Sequence, residues 1–438
     1  MPNARYDLTD AIARRELRLS VIGLGYVGLP LALAFAEAGL RVVGVDVDAA
    51  KIAAINAGQS YIGDVSAETV AAVVDQGKLS ATADFSALRD ADAVIICVPT
   101  PLSKTRDPDI SYIISAADEI ARYFHPGQLI VLESTTYPGT TEEVILPRLA
   151  RDDCRVGEDF FLAFSPERID PGNKRYQVRN TPKVIGGTTP RCLQMAMALY
   201  GLVIEQLVPV SNTRTAEMIK LLENTFRAVN IGLINEVALM CDRLDIDVWE
   251  VIQAASTKPY GFMTFYPGPG LGGHCIPLDP YYLAWKLRTL DYTSRFIEVA
   301  GEINSSMPHH VVDMIGDALN QRRQAINGAR ILVLGVTYKP NVADVRESPA
   351  LDVLKLLHGK GAKLYYHDPY IPKLDLGEFS LSCSEFTDAL LTAMDCVVVI
   401  SPHASYDWAQ IVSRVTLLID TRNATGELGN GKTNVIKL

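Results

Sequence analysis

Six residues, Gly-Leu-Gly-Tyr-Val-Gly at positions 23–28, constrain the fold of this chain more than any other stretch. They follow Leu-Arg-Leu-Ser-Val-Ile at 17–22, which reads as a strand, and precede residues 29–38, whose helical composition stops at Gly39. Arg-Val-Val-Gly-Val at 41–45 is a second strand and closes on an acid, Asp46. Strand, GxGxxG turn, helix, strand and acid within about thirty residues make the dinucleotide-binding fingerprint in its required context. Gly23 makes the turn, Gly25 lets a pyrophosphate reach the helix N-terminus, and Gly28 permits close helix–strand packing. Asp46 is placed to accept hydrogen bonds from an adenosine ribose, which favours NAD over its phosphorylated relative.

The alternation continues. Residues 91–98 form an apolar strand ending in Pro99, Thr100 and Pro101, and residues 128–136 form another ending in Tyr-Pro-Gly-Thr-Thr at 137–141. Ligands of open parallel sheets bind beyond the carboxyl ends of strands, so Thr100, Ser134 and Thr135 either face the cofactor or cap the next helix. A third apolar run, 160–164, leads into a charged loop at 165–173. There Glu167 and Arg168 are either solvated loop charges or site residues.

From about residue 213 the texture changes. Residues 216–243 lack Gly and Pro apart from Gly232 and space their apolar residues for one long helix. Shorter helices follow at 247–255 and 280–290, with another between 292 and 303. Lys220 and Asn224 share a helix face, although Glu217 and Glu223 make a surface ion pair the plain alternative for Lys220. Between these helices lies Pro-Gly-Pro-Gly-Leu-Gly-Gly-His-Cys-Ile-Pro-Leu-Asp-Pro at 267–280, too rich in Gly and Pro for a helix or central strand. It holds Cys275, His274 and Asp279, and a thiol in such a loop is a nucleophile if a neighbour favours its thiolate.

A second α/β pattern begins after Gly328: a strand at 329–335, a helix at 348–358, a strand at 363–368 ending in an acid, another at 393–400, and a last one at 416–420. Its turn, Gly-Val-Thr-Tyr-Lys-Pro at 335–340, lacks the second and third glycines, so a pyrophosphate could not lie against it as in the first domain. Lys339, Arg346 and Arg422 instead offer cations at strand ends, where they could meet phosphates. The fold expected is α/β, with two Rossmann-like doubly wound parallel sheets joined by an all-α central domain with a long helix. The domains fall at 1–212, 213–310 and 311–438.

A formal net charge of −10, a pI near 5.3 and no basic run argue against nucleic acid as a partner. Seven scattered cysteines without zinc spacing predict reduced thiols, no structural metal and a cytoplasmic protein. The first apolar run is broken by glycines and is neither a signal peptide nor a membrane span.

These motifs together, with Val-Pro-Thr-Pro at 98–101, Ser-Thr-Thr-Tyr-Pro-Gly-Thr at 134–140, Ser-Pro-Glu-Arg at 165–168, Lys-Leu-Leu-Glu-Asn at 220–224, Gly-Gly-His-Cys-Ile-Pro at 272–277 and Asp-Val-Arg-Glu-Ser at 344–348, resemble the UDP-glucose/GDP-mannose dehydrogenase family. The resemblance covers about residues 18 to 425. Family members acting on UDP-glucose usually carry Phe after the cysteine and a lysine before the aspartate. Ile276 and Leu278 stand there here, and His274 precedes the thiol, as in enzymes acting on UDP-N-acetylhexosamines. The loop at 165–174 and Lys-Pro-Tyr-Gly-Phe-Met at 258–263 look most like the N-acetylglucosamine 6-dehydrogenases of surface-polysaccharide pathways, with the mannosamine epimer close behind.

The resemblance implies a four-electron oxidation through a cysteine thiohemiacetal and thioester, with Cys275 as nucleophile. It implies Lys220 for the developing oxyanion, Asn224 and Asp279 to orient water or a general base, Glu167 as acid/base group and Thr135 to position water. NAD falls to Gly23, Gly25, Tyr26, Val27, Gly28, Asp46, Lys51, Thr100, Ser134, Thr135 and Arg346. The UDP-sugar falls to Glu167, Arg168, Lys220, Asn224, Lys258, Gly272, Lys339 and Arg422. The family usually dimerises through the long helix, so a homodimer or higher homo-oligomer is expected. Two other readings of the same fold are a two-electron hydroxyacid or 6-phosphogluconate-type dehydrogenase and a non-enzymatic NAD sensor; neither needs Cys275.

Overall fold

In the computed structural model, which describes residues 8–103, 107–151, 154–170, 172–173, 175–273 and 275–438, the opening βαβ unit forms as the sequence predicts. Helix α1 (Leu8–Arg14) buries Leu8, Ala11 and Ile12. Strand β1 (Arg18–Ile22) then turns at Gly23 into α2 (Gly28–Glu37), which returns to β2 (Arg41–Val45). The alternation runs on through α3 (Ala49–Asn56), α4 (Ala67–Asp75), β3 (Leu79–Thr82), β4 (Ala93–Ile96), α5 (Ser111–Tyr123), β5 (Leu129–Leu132), α6 (Leu146–Leu149) and β6 (Phe161–Phe164). Strands β4, β5 and β6 are wholly buried, as strands of a sheet covered on both faces must be.

The sheet has eight strands in the order β3-β2-β1-β4-β5-β6-β7-β8. Its last part, β7 (Lys183–Gly187), α7 (Pro190–Tyr200) and β8 (Leu207–Val210), lies beyond the alternation read from the sequence. All neighbours pair in parallel except β6 and β7, so the sheet is mostly parallel and doubly wound, as expected. Strand order reverses between β1 and β4, which puts the crevice for a ligand outside their carboxyl ends.

The helical section begins with α8 (Thr213–Leu244), 32 residues long. One apolar face of it buries Ala216, Leu221, Ala228, Ile234, Ala238 and Cys241, while Met218, Leu222, Phe226, Leu233, Met240 and Leu244 are exposed. Then come α9 (Val248–Ala255), α10 (Asp279–Arg288) and α11 (Arg295–Gln321). The last runs 18 residues past the end expected at 303 and carries Pro308 in its interior. A proline there removes one helix hydrogen bond. The buried stripe of Met307, Val311, Val312 and Ile315 outweighs that loss and keeps the helix in one piece. The single glycine of α8 has a packing reason, since a Cβ on Gly232 would lie 3.0 Å from the Ala300 Cβ of α11.

A second sheet follows from β9 (Arg330–Leu334), α12 (Pro349–Gly359) and β10 (Lys363–His367). After a small hairpin, β11 (Lys373–Asp375) with β12 (Ser380–Ser382), come α13 (Asp388–Ala393), β13 (Cys396–Val399), α14 (Trp408–Arg414), β14 (Leu418–Asp420) and β15 (Val435–Lys437). The order is β10-β9-β13-β14-β15, all parallel. The strand at 416–420 is therefore not the last: the three residues of β15 are too few to register as a periodic run, and they add one more strand beyond it.

The chain packs as two compact units, Met1–Glu223 with Tyr281–Asp291, and Asn224–Pro280 with Tyr292–Leu438.

Candidate active site

The glycine turn of the first unit is built as its spacing requires. Gly23 has φ +89°, and a Cβ there would strike the Cys97 carbonyl oxygen at 2.4 Å, at the end of β4. A Cβ on Gly28 would lie 1.8 Å from the Gly23 carbonyl oxygen, whereas one on Gly25 would meet nothing within 4 Å. Two glycines are thus needed by the protein's own packing, and the third faces open space at the head of α2. Buried Asp46 accepts from the Leu24 amide at 2.8 Å and the Asp48 amide at 2.9 Å, and Lys51 approaches it at 3.4 Å. Besides standing ready for a ribose, Asp46 pins the turn to β2. The turn and its acid fit the pyrophosphate and ribose of NAD.

Tyr26 is exposed and Val27 and Thr100 are half-buried around this turn. Ser134 caps no helix; its hydroxyl donates to the Val98 carbonyl at 2.9 Å and so ties β5 to β4. Thr135 is half-buried at the end of β5.

Next along the same edge, Glu167 is no solvated loop charge. Its side chain is 13% exposed, and its carboxylate accepts from the amides of Arg168 at 2.6 Å and Ile169 at 2.5 Å. Lys220 donates to the Glu167 carbonyl at 2.7 Å, so the surface ion pair does not form. Glu223 is instead clamped by the guanidinium of Arg168, which also donates to the Pro182 carbonyl at 2.8 Å. Glu217 turns inward and accepts from the amides of Gly139 and Thr141. Burial pushes Glu217 up to about 7 against those hydrogen bonds.

Sequence reasoning missed the group behind Glu167. Lys183, at the start of β7, pairs with Glu133 at 3.0 Å and Glu167 at 3.5 Å, and Tyr200 donates to Glu133. The signal was present: Glu133 closes an otherwise apolar strand and Lys183 opens another, and a charge in a buried strand needs a partner.

In the second unit the Gly/Pro loop is held from several sides. The Gly268 amide donates to Asn235 of α8 at 2.9 Å, Asn235 donates to Asn304 of α11 at 2.8 Å, and Asn304 donates to the Ala228 carbonyl at 3.2 Å. A Cβ on Gly270 would sit 3.3 Å from the Asn304 carbonyl oxygen, the acceptor that Pro308 leaves without its helical donor. A Cβ on Gly272 would sit 2.7 Å from that of Tyr338, and the Gly273 amide donates to the Arg346 carbonyl at 3.2 Å. The half-exposed Cys275 follows, its carbonyl accepting from the Asp279 amide at 2.8 Å in the first turn of α10. Asn224 donates to the Asp279 carboxylate, so the expected pair is brought together. His274 lies outside the described residues.

The loop also touches the cations expected for phosphate. A Cβ on Gly268 would lie 2.3 Å from a guanidinium nitrogen of Arg422, whose Nε donates to the Ile400 carbonyl at 3.2 Å. Burial pulls Arg422 down to about 10, so it stays charged at neutral pH. Lys339 is half-buried in the turn after β9. Arg346 pairs with Asp344 two residues away at 2.6 Å. Lys258 is not gathered with the others: it is exposed, its ammonium 5.4 Å from the ring of Tyr260.

That second turn repeats the first with one change. Gly335 has φ +75°, its amide donates to His367 as that of Gly23 does to Val45, and the Val336 amide reaches Asp368 at 2.7 Å as Leu24 reaches Asp46. Asp368, however, also accepts from His403 at 2.9 Å, with both side chains fully buried. The Asn341 amide donates to the other ring nitrogen, which sets the Nε2–H tautomer.

Among the described residues no group of three or more His, Cys, Asp or Glu could hold a metal ion, and no helix is long and apolar enough to cross a membrane.

Three models of one family match successive segments: the NAD binding domain of the UDP-glucose/GDP-mannose dehydrogenase family at 17–204, its central domain at 214–306 and its UDP binding domain at 332–427. The UDP-N-acetyl-D-glucosamine 6-dehydrogenase of Pseudomonas aeruginosa is 37% identical over 363 residues, 82% of this chain and 85% of that protein. The UDP-N-acetyl-D-mannosamine dehydrogenase of Salmonella typhi is 37% identical over 402 residues, 89% of this chain and 94% of that protein. Among solved structures, the UDP-D-ManNAc dehydrogenase of Pyrococcus horikoshii superposes with a TM-score of 0.86 at 33% identity, covering 96% of this chain and 99% of that one.

Proposed function

Since the chain belongs to the UDP-glucose/GDP-mannose dehydrogenase family, we propose that it oxidises the 6-hydroxyl of a UDP-N-acetylhexosamine, UDP-N-acetylglucosamine first, to the uronate. It is an NAD-dependent nucleotide-sugar dehydrogenase. In our reading, residues 1–212 hold NAD, 213–310 carry the chemistry and the dimer contact, and 311–438 hold the UDP-sugar. Ile276 with Leu278 favours a UDP-N-acetylhexosamine over UDP-glucose, and the Pseudomonas aeruginosa relative favours the glucosamine epimer; the recurrence of mannosamine enzymes among the relatives makes that epimer the second candidate.

The observation that carries the reading is the setting of Cys275. Five of the seven cysteines are buried, and Cys383 donates to the Asp368 carbonyl at 3.4 Å. Cys275 is, with Cys383, one of the two half-exposed cysteines, and it stands on a braced loop just ahead of the N-terminus of α10. NAD, when bound, supplies the hydride acceptor for two electrons at a time. Going from alcohol to carboxylate releases four electrons, so the aldehyde has to be retained between steps. The Cys275 sulfur adds to the aldehyde carbon, giving a thiohemiacetal still at the aldehyde oxidation level; its loss of a hydride and a proton leaves the thioester, and water cleaves the carbon–sulfur bond to give the carboxylate and the thiolate. Lys220 stabilises the oxyanion, the Asn224–Asp279 pair and Thr135 orient water, and Glu167 takes its proton. Arg422 and Lys339 neutralise the diphosphate, and Arg346 closes over NAD.

The test is a count of NADH per sugar across UDP-N-acetylglucosamine, UDP-N-acetylmannosamine, UDP-N-acetylgalactosamine and UDP-glucose. Two NADH per sugar, with fastest turnover on the first, is expected. One NADH would make the chain a simple two-electron dehydrogenase, and none would leave it a binding protein.

A further inference from the structure

Behind Glu167 lies a buried ionic group for which neither the fold nor the oxidation has yet given a use. Lys183 has a side chain 7% exposed and sits between two carboxylates, fully buried Glu133 at 3.0 Å and Glu167 at 3.5 Å. Tyr200, also buried, donates to Glu133, and its ring lies 5.3 Å from the Lys183 ammonium. Three charges in so dry a place are costly unless each is held, and replacing them with apolar side chains would often be neutral for stability. Their presence beside Glu167 therefore asks for another explanation.

We propose that Lys183 is a positioning residue for Glu167, its ammonium anchored by Glu133 and Tyr200 so that the Glu167 carboxylate stays ionised and in place to take a proton from water. The inference rests on Glu167 serving as the base in thioester hydrolysis. In that step a water proton passes to a Glu167 oxygen, the hydroxide oxygen bonds to the thioester carbon, and the carbon–sulfur bond breaks to return the Cys275 thiolate. The proton then leaves to solvent.

The charges around Glu167 fit this division of labour. Burial alone would raise its pKa, but Lys183, the amides of Ile169 and Arg168, and Lys220 together hold it below the usual carboxylate range. Glu133 feels the opposite: burial drives it up to about 7, despite Lys183, and Glu167 adds repulsion. Burial would lower Lys183, but the two carboxylates outweigh it and push it up to about 12. Cys97 and Tyr200, the other titratable groups in the cluster, are raised by burial and by Glu133, so both remain neutral. Arg168 faces Glu223 rather than the Glu167 carboxylate. One ammonium between two carboxylates thus separates them into a charged one toward the site and one that titrates near neutrality behind it.

The test compares kcat against pH for the parent, Lys183→Met, Lys183→Arg, Glu133→Gln and Glu167→Gln, using the UDP-sugar turned over fastest and saturating NAD. Lys183→Met should lower kcat at neutral pH roughly tenfold or more and move the acidic limb upward by about one unit, with KM for both substrates little changed. Lys183→Arg should restore the limb. Glu133 is already protonated where Glu167 titrates, so Glu133→Gln should leave the acidic limb in place. A merely structural role would move the limb alike in Lys183→Met and Glu133→Gln. An unmoved limb in folded Lys183→Met, or an equal upward shift in Glu133→Gln, overturns the proposal. Should Lys183→Met not fold, Lys183→Arg and Glu133→Gln decide, and an upward shift in either overturns it. Full kcat in Glu167→Gln would sink the base assignment itself, whereas a dead Glu167→Gln with an unmoved Lys183→Met limb sinks only the role given to Lys183.

Discussion

Cys275 shows how much one side chain owes to groups far from it in sequence. Its loop is held by Asn235, about forty positions upstream, and by the turn at 338–347 downstream. The proposed chemistry makes a sharp demand on the sulfur. Cys275→Ser should leave the first hydride transfer intact but block completion of the second, because a hydroxyl is a far poorer nucleophile at neutral pH. Rapid-quench single turnovers should find no free uronate from this variant; uronate at the parent's rate would remove Cys275 from the mechanism. At this scale Gly23, Gly28 and Asp46 were legible from sequence because a turn, a close approach and a strand-end acid are set by neighbours within one βαβ unit. Lys183 showed only as a lone charge opening an apolar strand; its pairing was not legible, since Glu133 lies 50 residues away and only the strand order brings them together.

Among elements, the glycine turn separates folding from binding. Gly28→Ala places a methyl 1.8 Å from the Gly23 carbonyl oxygen and should destabilise the protein by roughly 2 kcal/mol through forced backbone shifts. Gly25→Ala meets no protein atom and should leave the melting temperature unchanged, yet weaken NAD at least about tenfold, or 1.4 kcal/mol. Calorimetric melting and NAD titration of both variants check this, and equal loss of stability in the two would show that the open space at Gly25 was misjudged. Elements with strong local signals, such as α8 and the buried strands, were legible. The far half of α11 was not, because a proline argues locally for a stop and only the buried stripe beyond it argues for continuation. Strand β15, three residues long, is too short to show any periodicity.

For the molecule as a whole, the exposed apolar row on α8 is a feature that its own subunit leaves uncovered. Leu222 is 56% exposed, Leu233 52% and Phe226 46%, at spacings that keep them on one stripe of the helix. We propose that a second copy covers this stripe in a two-fold dimer. Light scattering should find a dimer for the parent and a folded monomer for Leu222→Glu with Phe226→Glu. An unchanged mass in the double variant would place the contact elsewhere.

His403 has a consequence that reaches beyond its own sheet. By bonding to the carboxylate that matches Asp46, it engages the acid of a second turn that also lacks the later two glycines of the first, so the berth that fits a dinucleotide is the one at 23–28. Under the proposed reaction both oxidations must then be served in succession from that berth. The spent carrier has to depart and a fresh one arrive while the sugar is only half converted, so the half-converted sugar must stay moored throughout the exchange.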